Sequence, residues 1–348
     1  MKKNADNRVI TISDIAKELS VSKSTVSRAL QDHHSISDAM KQAVRRLAKQ
    51  YNYHPNAIAS SLFKKSTKTI GVIVPIISHY FFSTVISGIE DVAYKAGYKV
   101  IICQSNESYK REVDLVKTLL SAHVDGLIVS VSRETRNAGH LQLFLNKGIP
   151  LVFFDRLPEG IKSNSVSVDD YHGAYQVVEH LIKQGFKKIA HFAGPQHVIV
   201  AKNRLLGYKA ALQKHRIPFD ESLVFETGFE RKHGVKTAEL LLSRDTLPDA
   251  VFAVCDPVAI GLMFVLKEHG IKIPDDMAVA GFNDEPTATV IEPPLTTVVQ
   301  PAFDMGVSAA TIFLKKVAGD ANADFIEKVH HTAVRIRNSS LRLDPKLS

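Results

Sequence analysis

The sequence predicts an α/β protein in two parts: a small N-terminal three-helix head, and a two-lobed body built on two doubly wound parallel sheets. Three observations carry this. Three short helical patterns occupy residues 11–51. From Thr69 onward, short β-rich apolar runs alternate with amphipathic segments at helical spacing. The alternating part is about 280 residues long, more than one sheet of ordinary domain size absorbs.

Composition agrees. The chain has 348 residues, 45% hydrophobic and 23% charged, which excludes low-complexity, collagen-like and wholly disordered classes. Apolar runs such as Thr69–Ile77 fall well short of the roughly 20 residues that cross a bilayer, and no apolar stretch follows the N-terminal charges as a secretory signal requires. A cytoplasmic location is expected. Cys103 and Cys255 read as reduced, buried thiols.

The head is the most specific part of the chain. Thr11-Ile-Ser-Asp14 reads as a capping box, after which Ile12, Ile15, Ala16 and Leu19 share one helix face. Ser20-Val-Ser22 interrupts the pattern, and Ser22 caps a second helix running to Leu30 with Val26, Ala29 and Leu30 inward. A third helix runs from about Ser37 to Tyr51, with Met40, Val44 and Leu47 among its apolar residues. The short second helix is left presenting Lys23, Ser24, Thr25, Ser27 and Arg28 outward, as a recognition helix would. Charge points the same way. Residues 1–65 hold twelve Lys and Arg against five acidic residues, a net charge of +7, whereas the other 283 residues carry +1. Local cationic density of this kind suits a polyanion, because neutralising phosphates releases their counterions.

The string from Thr11 to Leu30, continued by Tyr51-Asn-Tyr-His-Pro-Asn-Ala57 and Ile70-Gly-Val72, resembles the lactose/galactose repressor (LacI/GalR) family, and the likeness extends over nearly the whole chain. It implies a helix-turn-helix DNA-binding head joined to a periplasmic-binding-protein-like body, and it places operator choice on Lys23, Ser24 and Arg28. The chemistry is compatible: Arg reaches guanine O6 and N7 bidentately, Lys donates less directionally and Ser is permissive. Ser22, Thr25, Ser27, Thr11 and Ser37 are assigned to phosphates, through hydroxyls and the N–H groups at helix starts. Residues 55–65 are too few to be stably helical alone. The resemblance implies a hinge helix that pairs with its twin in the minor groove, wedging Leu62 between base steps, with Ala59 permitting close approach and Asn56 on the backbone. The expected boundaries are 1–54 for the head, 55–67 for the hinge, 68–168 with 299–330 for the N-terminal lobe, and 169–298 with 331–348 for the C-terminal lobe.

In the body, Thr69–Val74, Lys99–Cys103, Leu127–Ser130 and Leu151–Asp155 read as parallel strands, separated by helices near Phe81–Ala96, Glu112–Ala122 and Ala138–Lys147. Ser165–Val168 is expected to begin a second series. Its strands fall near Ile189–Ala193, Leu223–Thr227, Ala250–Val254 and Ala278–Gly281, and its helices near Ala174–Gln184, Ala201–Lys214, Gly234–Ser243 and Val258–Glu268. Gly97, Gly185 and Gly270 each sit just past a helix, as C-cap glycines do.

Ligands of such folds bind beyond the carboxyl ends of the strands. Tyr80, Phe81, Phe154, Asp155, Arg204, Cys255, Asp256, Asn283 and Asp284 lie at those ends. The resemblance matches Asp155, Arg204 and Asn283 to effector-contacting positions. Planar polar groups beside aromatic faces suit a polyhydroxylated ring, so a sugar is the favoured effector. Two departures from the family pattern, Cys255 where many relatives have Asn and Asn283 where sugar binders often have Asp, leave a nucleoside or another small polar ligand open. The reading is a repressor that binds a pseudo-palindromic operator as a homodimer under effector control. A chain stopping at Asp344-Pro-Lys-Leu-Ser348, without the heptad tail of the lactose-repressor branch, is expected not to form a tetramer.

Two rivals fit less well. A solute-binding protein would need an export signal and would not carry the basic head. An enzyme finds no G-x-G-x-x-G, P-loop, G-x-S-x-G or H-E-x-x-H, no cofactor motif, and no metal spacing in His33-His34 or His330-His331.

Overall fold

The computed structural model describes residues 10–53, 66–158, 160–319 and 325–342, in two units divided after Thr67. The first unit is the head. Its helices are α1 (Ile12–Glu18), α2 (Lys23–Leu30) and α3 (Asp38–Gln50), which enclose Ile15, Ala16, Val26, Ala29 and Val44. Its tight turns rest on local chemistry. Ser20, Asp32 and Asn52 take left-handed backbone conformations at the helix ends. The Tyr51 hydroxyl donates to Glu18 at 2.6 Å, tying the end of α3 to α1.

The second unit comprises two lobes of matching topology. The first sheet holds β1 (Thr69–Val74), β2 (Lys99–Gln104), β3 (Gly126–Val129), β4 (Leu151–Phe154) and β5 (Asn164–Val168), in the order β2-β1-β3-β4-β5, all parallel. Helices α4 (Tyr80–Lys95), α5 (Tyr109–Ser121) and α6 (Gln142–Asn146) connect these strands. The second lobe opens with α7 (Asp170–Lys183), and its sheet repeats the order with β6 (Ile189–Ala193), β7 (Val224–Glu226), β8 (Ala250–Ala253), β9 (Ala278–Asn283) and β10 (Thr296–Val299). Between these strands run α8 (Ile199–Lys214), α9 (Arg231–Leu242), α10 (Asp256–Glu268) and the one-turn α11 (Thr287–Val290).

The chain then returns to the first lobe with α12 (Ala302–Val317), which packs on α4, and with β11 (Glu327–His330), which pairs parallel to β5. It ends in the second lobe with β12 (Ala333–Arg335), antiparallel to β10. Three crossings therefore join the lobes, at residues 169, 300–301 and 331–332.

Strand 164–168 corrects one expectation. It does not begin the second series: it pairs with β4 and completes the first sheet, because the crossing lies after it rather than before. The helix expected over Ala138–Lys147 is likewise confined to the five residues of α6, since 138–141 form turns. Several other helices begin two to four residues earlier than their apolar patterns, because polar first turns such as Tyr109-Lys-Arg111 and Arg231-Lys-His233 are helical too. Gly97, Gly185 and Gly270 have φ of +72°, +91° and +71°, the left-handed geometry expected past a helix end.

Each sheet is covered on both faces. Ile70, Val72 and Val74 point to α4 and α12, whereas Ile73, Leu127 and Val129 point to the side of Val116 and Leu119 on α5. In the second lobe, Phe192 and Val251 face α10, while Phe252, Ala280 and Phe282 face α7 and Tyr208 of α8. The helix pairs approach closely at glycines: a Cβ on Gly207 of α8 would fall on the Tyr171 carbonyl of α7, and one on Gly306 of α12 on the Val85 carbonyl of α4.

Candidate functional site

Two places gather chemistry, and they lie in different units. In the head, the Ser22 hydroxyl caps α2 by accepting the Thr25 N–H at 3.1 Å, and it shares hydrogen bonds with the hydroxyls of Ser24 at 2.7 Å and Thr25 at 2.8 Å. Ser37 caps α3, accepting the Met40 N–H at 3.4 Å. Thr11 precedes α1, where its N–H and hydroxyl both donate to the Asp14 carboxylate, at 2.8 and 2.7 Å. Lys23, Ser24 and Arg28 are exposed, and Thr25 and Ser27 half-buried, on the face of α2 opposite Val26 and Ala29. Among the described residues, no hydrogen bond or ion pair holds the Lys23 or Arg28 head group. By contrast, Asp32 takes up Lys41 and Arg45, each at 3.1 Å, and the Lys41 hydrogen bond and charge hold its carboxyl below the ordinary value. Asn56, Ala59 and Leu62 lie outside the described residues.

The second place is the junction of the two lobes. Strand β4 is followed by Asp155, a non-glycine residue with φ +59°, whose carboxylate accepts from the Ser130 hydroxyl at 3.4 Å. Next to it Arg156 makes a buried pair with Glu107, whose two carboxylate oxygens accept from Nη1 at 2.8 and 2.9 Å. The guanidinium also lies over the Phe229 ring of the second lobe, 4.5 Å from its centroid. Burial opposes ionisation of Glu107, but the Arg156 charge and hydrogen bond together with the Arg133 N–H outweigh it and hold the carboxyl below its usual value. Asp155 is pushed up by burial, with Arg156 and Arg204 opposing. His79 is pushed down by burial and then by Arg156, which favours a neutral imidazole.

Between the lobes these residues enclose a cavity of about 40 Å³, with Phe81, Phe82 and Asp155 on one side and Phe229, Cys255 and Asn283 on the other. Gln300, in the second crossing, closes it and donates to the Asn283 side-chain oxygen at 2.6 Å. Two buried polar atoms here have no hydrogen-bond partner, Arg156 Nε and Gln300 Oε1. One is a donor and the other an acceptor.

The nine residues predicted for this site separate on inspection. Phe81, Asp155, Arg204, Cys255 and Asn283 line the cavity. The Cys255 thiol is spent on the Phe229 carbonyl at 3.3 Å, and burial pushes its pKa up to about 12. Arg204 is occupied within its own lobe: Nε and Nη2 donate to Asp170 at 2.8 and 2.7 Å, Nη1 donates to the Val254 carbonyl at 2.6 Å, and Phe282 lies 3.7 Å away. Four residues are elsewhere. Phe154 is fully buried in the first-lobe core and Tyr80 is 44% exposed. Asp256 accepts from Thr297 at 2.5 Å and the Glu285 N–H at 2.8 Å, and Asp284 binds Arg335 and Arg337, each at 2.6 Å. These last two carboxylates brace the second lobe.

Sequence reasoning passed over Arg156, Glu107, Phe229 and Gln300. The strand-end rule applied to β2 would have reached Ser105-Asn-Glu107, and Arg156 adjoins a residue already chosen. Nothing local marks Phe229 or Gln300. Among the described residues, no three His, Cys, Asp or Glu side chains are placed to hold a metal ion, and no helix is long and apolar enough to cross a membrane.

Comparison with known proteins bears on both places. Residues 11–56 match the model for bacterial regulatory proteins of the lacI family, and residues 178–340 the periplasmic binding protein-like domain. Over 320 residues the chain is 33% identical to the HTH-type transcriptional repressor PurR of Vibrio atlanticus (strain LGP32), covering 92% of this chain and 96% of that one. A solved complex of the transcriptional regulator CelR with cellobiose superposes with a TM-score of 0.73 at 29% identity, over 95% of this chain and 99% of the other. A LacI family transcriptional regulator from Enterococcus faecium, solved with bound ribose, gives 0.70 at 30% identity, over 79% of this chain and 100% of the other.

Proposed function

The chain belongs to the lacI family of bacterial regulatory proteins and is a DNA-binding transcriptional repressor with an effector-binding body, not an enzyme, and on that footing we propose that its lobes close on a neutral sugar and that this closure sets the grip of paired heads on a pseudo-palindromic operator. The observation that carries the effector half is the pair of buried atoms at the lobe junction with no hydrogen-bond partner: Arg156 Nε, which has the Asp155 carboxylate as its counter-charge at 3.7 Å, and Gln300 Oε1. A sugar hydroxyl donates and accepts at once, so one or two hydroxyls satisfy both, while the Asp155 carboxylate accepts another and the Phe81 and Phe229 rings flank the apolar face. The cellobiose and ribose held by the two structural relatives support the same ligand class. A cavity of about 40 Å³ has room for little more than one water, so a sugar enters by rotation of the lobes about the three crossings.

In the head, Lys23 and Arg28 are the donors free to reach base edges, with Ser24 beside them. The hydroxyls of Ser22, Thr25, Ser27, Thr11 and Ser37 and the N–H groups they leave at the helix starts take phosphates. One head of three short helices buries little surface, so specific binding calls for two heads on one duplex and hence a homodimer. Rotation of the lobes would move the chain where it enters β1 and so change the spacing at which two heads are presented.

The experiment is a thermal-shift panel of neutral mono- and disaccharides and of nucleosides on the full chain, paired with operator-binding titrations. Free ligand at 100 times its Kd stabilises by about 2.7 kcal/mol. The expected result is stabilisation by a sugar that Asp155→Asn abolishes and that alters operator affinity. Stabilisation by nucleosides alone overturns the sugar assignment.

A further inference from the structure

Beside the small junction cavity lies a larger groove, of about 840 Å³, that the sugar reading does not use. That volume is within the ordinary range for small-molecule pockets. Both lobes build it. Arg133 and Arg136 come from the segment after β3, and His197, His233 and Lys236 from the second lobe. The lobes touch here, where His197 Nε2 lies 2.5 Å from the Arg133 carbonyl oxygen. Among the described residues no ion pair neutralises the side chains of Arg133, Arg136 or Lys236. Two carboxylates stand on the wall against these three cations: Glu134, which accepts the Tyr109 N–H at 3.0 Å at the start of α5, and Glu226. The field is positive on balance. Burial lowers the His233 pKa and Glu230 opposes, but Arg133 and Lys236 lower it further from opposite walls. The apolar part of the lining is Val224, Phe225 and Leu240, of which Leu240 is 60% exposed and Phe225, with the Arg244 guanidinium 4.6 Å from its ring centroid, only 6%.

We propose that this groove is a second binding site, for a small organic phosphate monoester whose dianion bridges Arg133 and Arg136 of one lobe to Lys236 of the other and whose carbon skeleton lies on Val224, Phe225 and Leu240. Unneutralised cations converging from two bodies onto an open apolar floor suit a compact dianion with a nonpolar substituent. A neutral sugar would leave those charges unmatched. Because the dianion touches both lobes, it binds their closed arrangement more tightly and holds it closed, which makes the groove a second control point on the lobe equilibrium.

The test is isothermal titration of the full-length protein with phenyl phosphate, which carries a dianion and an apolar ring but no hydroxyls for the inner cavity, alongside inorganic phosphate and ribose. Saturable binding of phenyl phosphate is expected, weakened about tenfold by Lys236→Gln, restored by Lys236→Arg and tightened by Glu226→Gln. Lys236 and Glu226 are both exposed, so none of these variants threatens folding. Asp155→Asn should leave this binding intact. Equal affinity for inorganic phosphate would refute the role of the apolar floor. Binding that is absent, or unchanged in Lys236→Gln, or lost in Asp155→Asn, would overturn the site. Silence of the whole sugar panel beside Lys236-dependent binding of phenyl phosphate would sink the sugar assignment and leave the groove standing.

Discussion

Replacing Arg204 with methionine separates a bracing role from a ligand-binding one. The guanidinium is 3% exposed, and its recorded partners all belong to the second lobe: Asp170 on α7, the Val254 carbonyl after β8, and the Phe282 ring on β9. Removing one member of a buried ion pair costs about 3–5 kcal/mol, because the other charge is left uncompensated. Here that charge is Asp170, which burial already pushes up to about 6 despite Arg204 opposing. Without the guanidinium its folded-state pKa rises further above the unfolded value of 3.8. A carboxyl whose pKa is raised on folding stabilises the protein below the unfolded value and loses that contribution as pH climbs to the folded one. Arg204→Met should therefore go on losing Asp170-linked stability at about 1.4 kcal/mol per pH unit from pH 5 through pH 7, whereas in the parent protein that contribution levels off above pH 6. Denaturant unfolding at pH 5, 6, 7 and 8 reads this directly. A deficit under about 1 kcal/mol at pH 8, or one equal at all four pH values, would refute the bracing role and return Arg204 to the ligand.

Three further outcomes follow from the same geometry. Arg28→Ala, on the exposed face of α2, should weaken operator binding by about 1–3 kcal/mol and relax choice at one base pair, as read by mobility shift against single-base operator variants. Gly306→Ala sets a Cβ against the Val85 carbonyl, so the first lobe should lose about 1–3 kcal/mol in urea denaturation with operator contacts untouched. Glu285, pushed up to about 7 by burial and by Asp256, should make the protein less stable as pH rises from about 4.5 to 7. Glu285→Gln should flatten that part of the stability profile, and an unchanged slope would show that the carboxyl titrates normally.

The head was legible almost to the residue, because caps and helical spacing are local. Ser22 and Ser37 cap the helices assigned to them, and Val26 and Ala29 face inward while Lys23 and Arg28 face out. Most strands of the body were legible for a similar reason: parallel strands buried on both faces are continuous apolar runs, as in Gly126–Val129 and Ala250–Ala253. The strand over 164–168 shows the limit: the boundary at 168 kept it in the first lobe, but the run of strands assigned it to the second series. Pairing depends on where the chain crosses between lobes, which no single segment records.

The ligand site divides along the same line. The residues at strand ends were identifiable because the chemistry of parallel sheets gathers there, and that rule delivered Asp155, Cys255 and Asn283. Which of those side chains stay free was settled only by their neighbours in space. Asp256 and Asp284 are taken by Thr297, Arg335 and Arg337, and Arg204 by Asp170, whereas Arg156 Nε and Gln300 Oε1 are left without hydrogen-bond partners. The amino-acid sequence by itself determined the DNA-reading head, the doubly wound lobes and the ends at which ligands are met, because each rests on periodicity and capping within a few residues. Only the tertiary structure decided which buried polar groups find hydrogen-bond partners and which do not, because hydrogen bonds and ion pairs are made between residues tens to hundreds of positions apart.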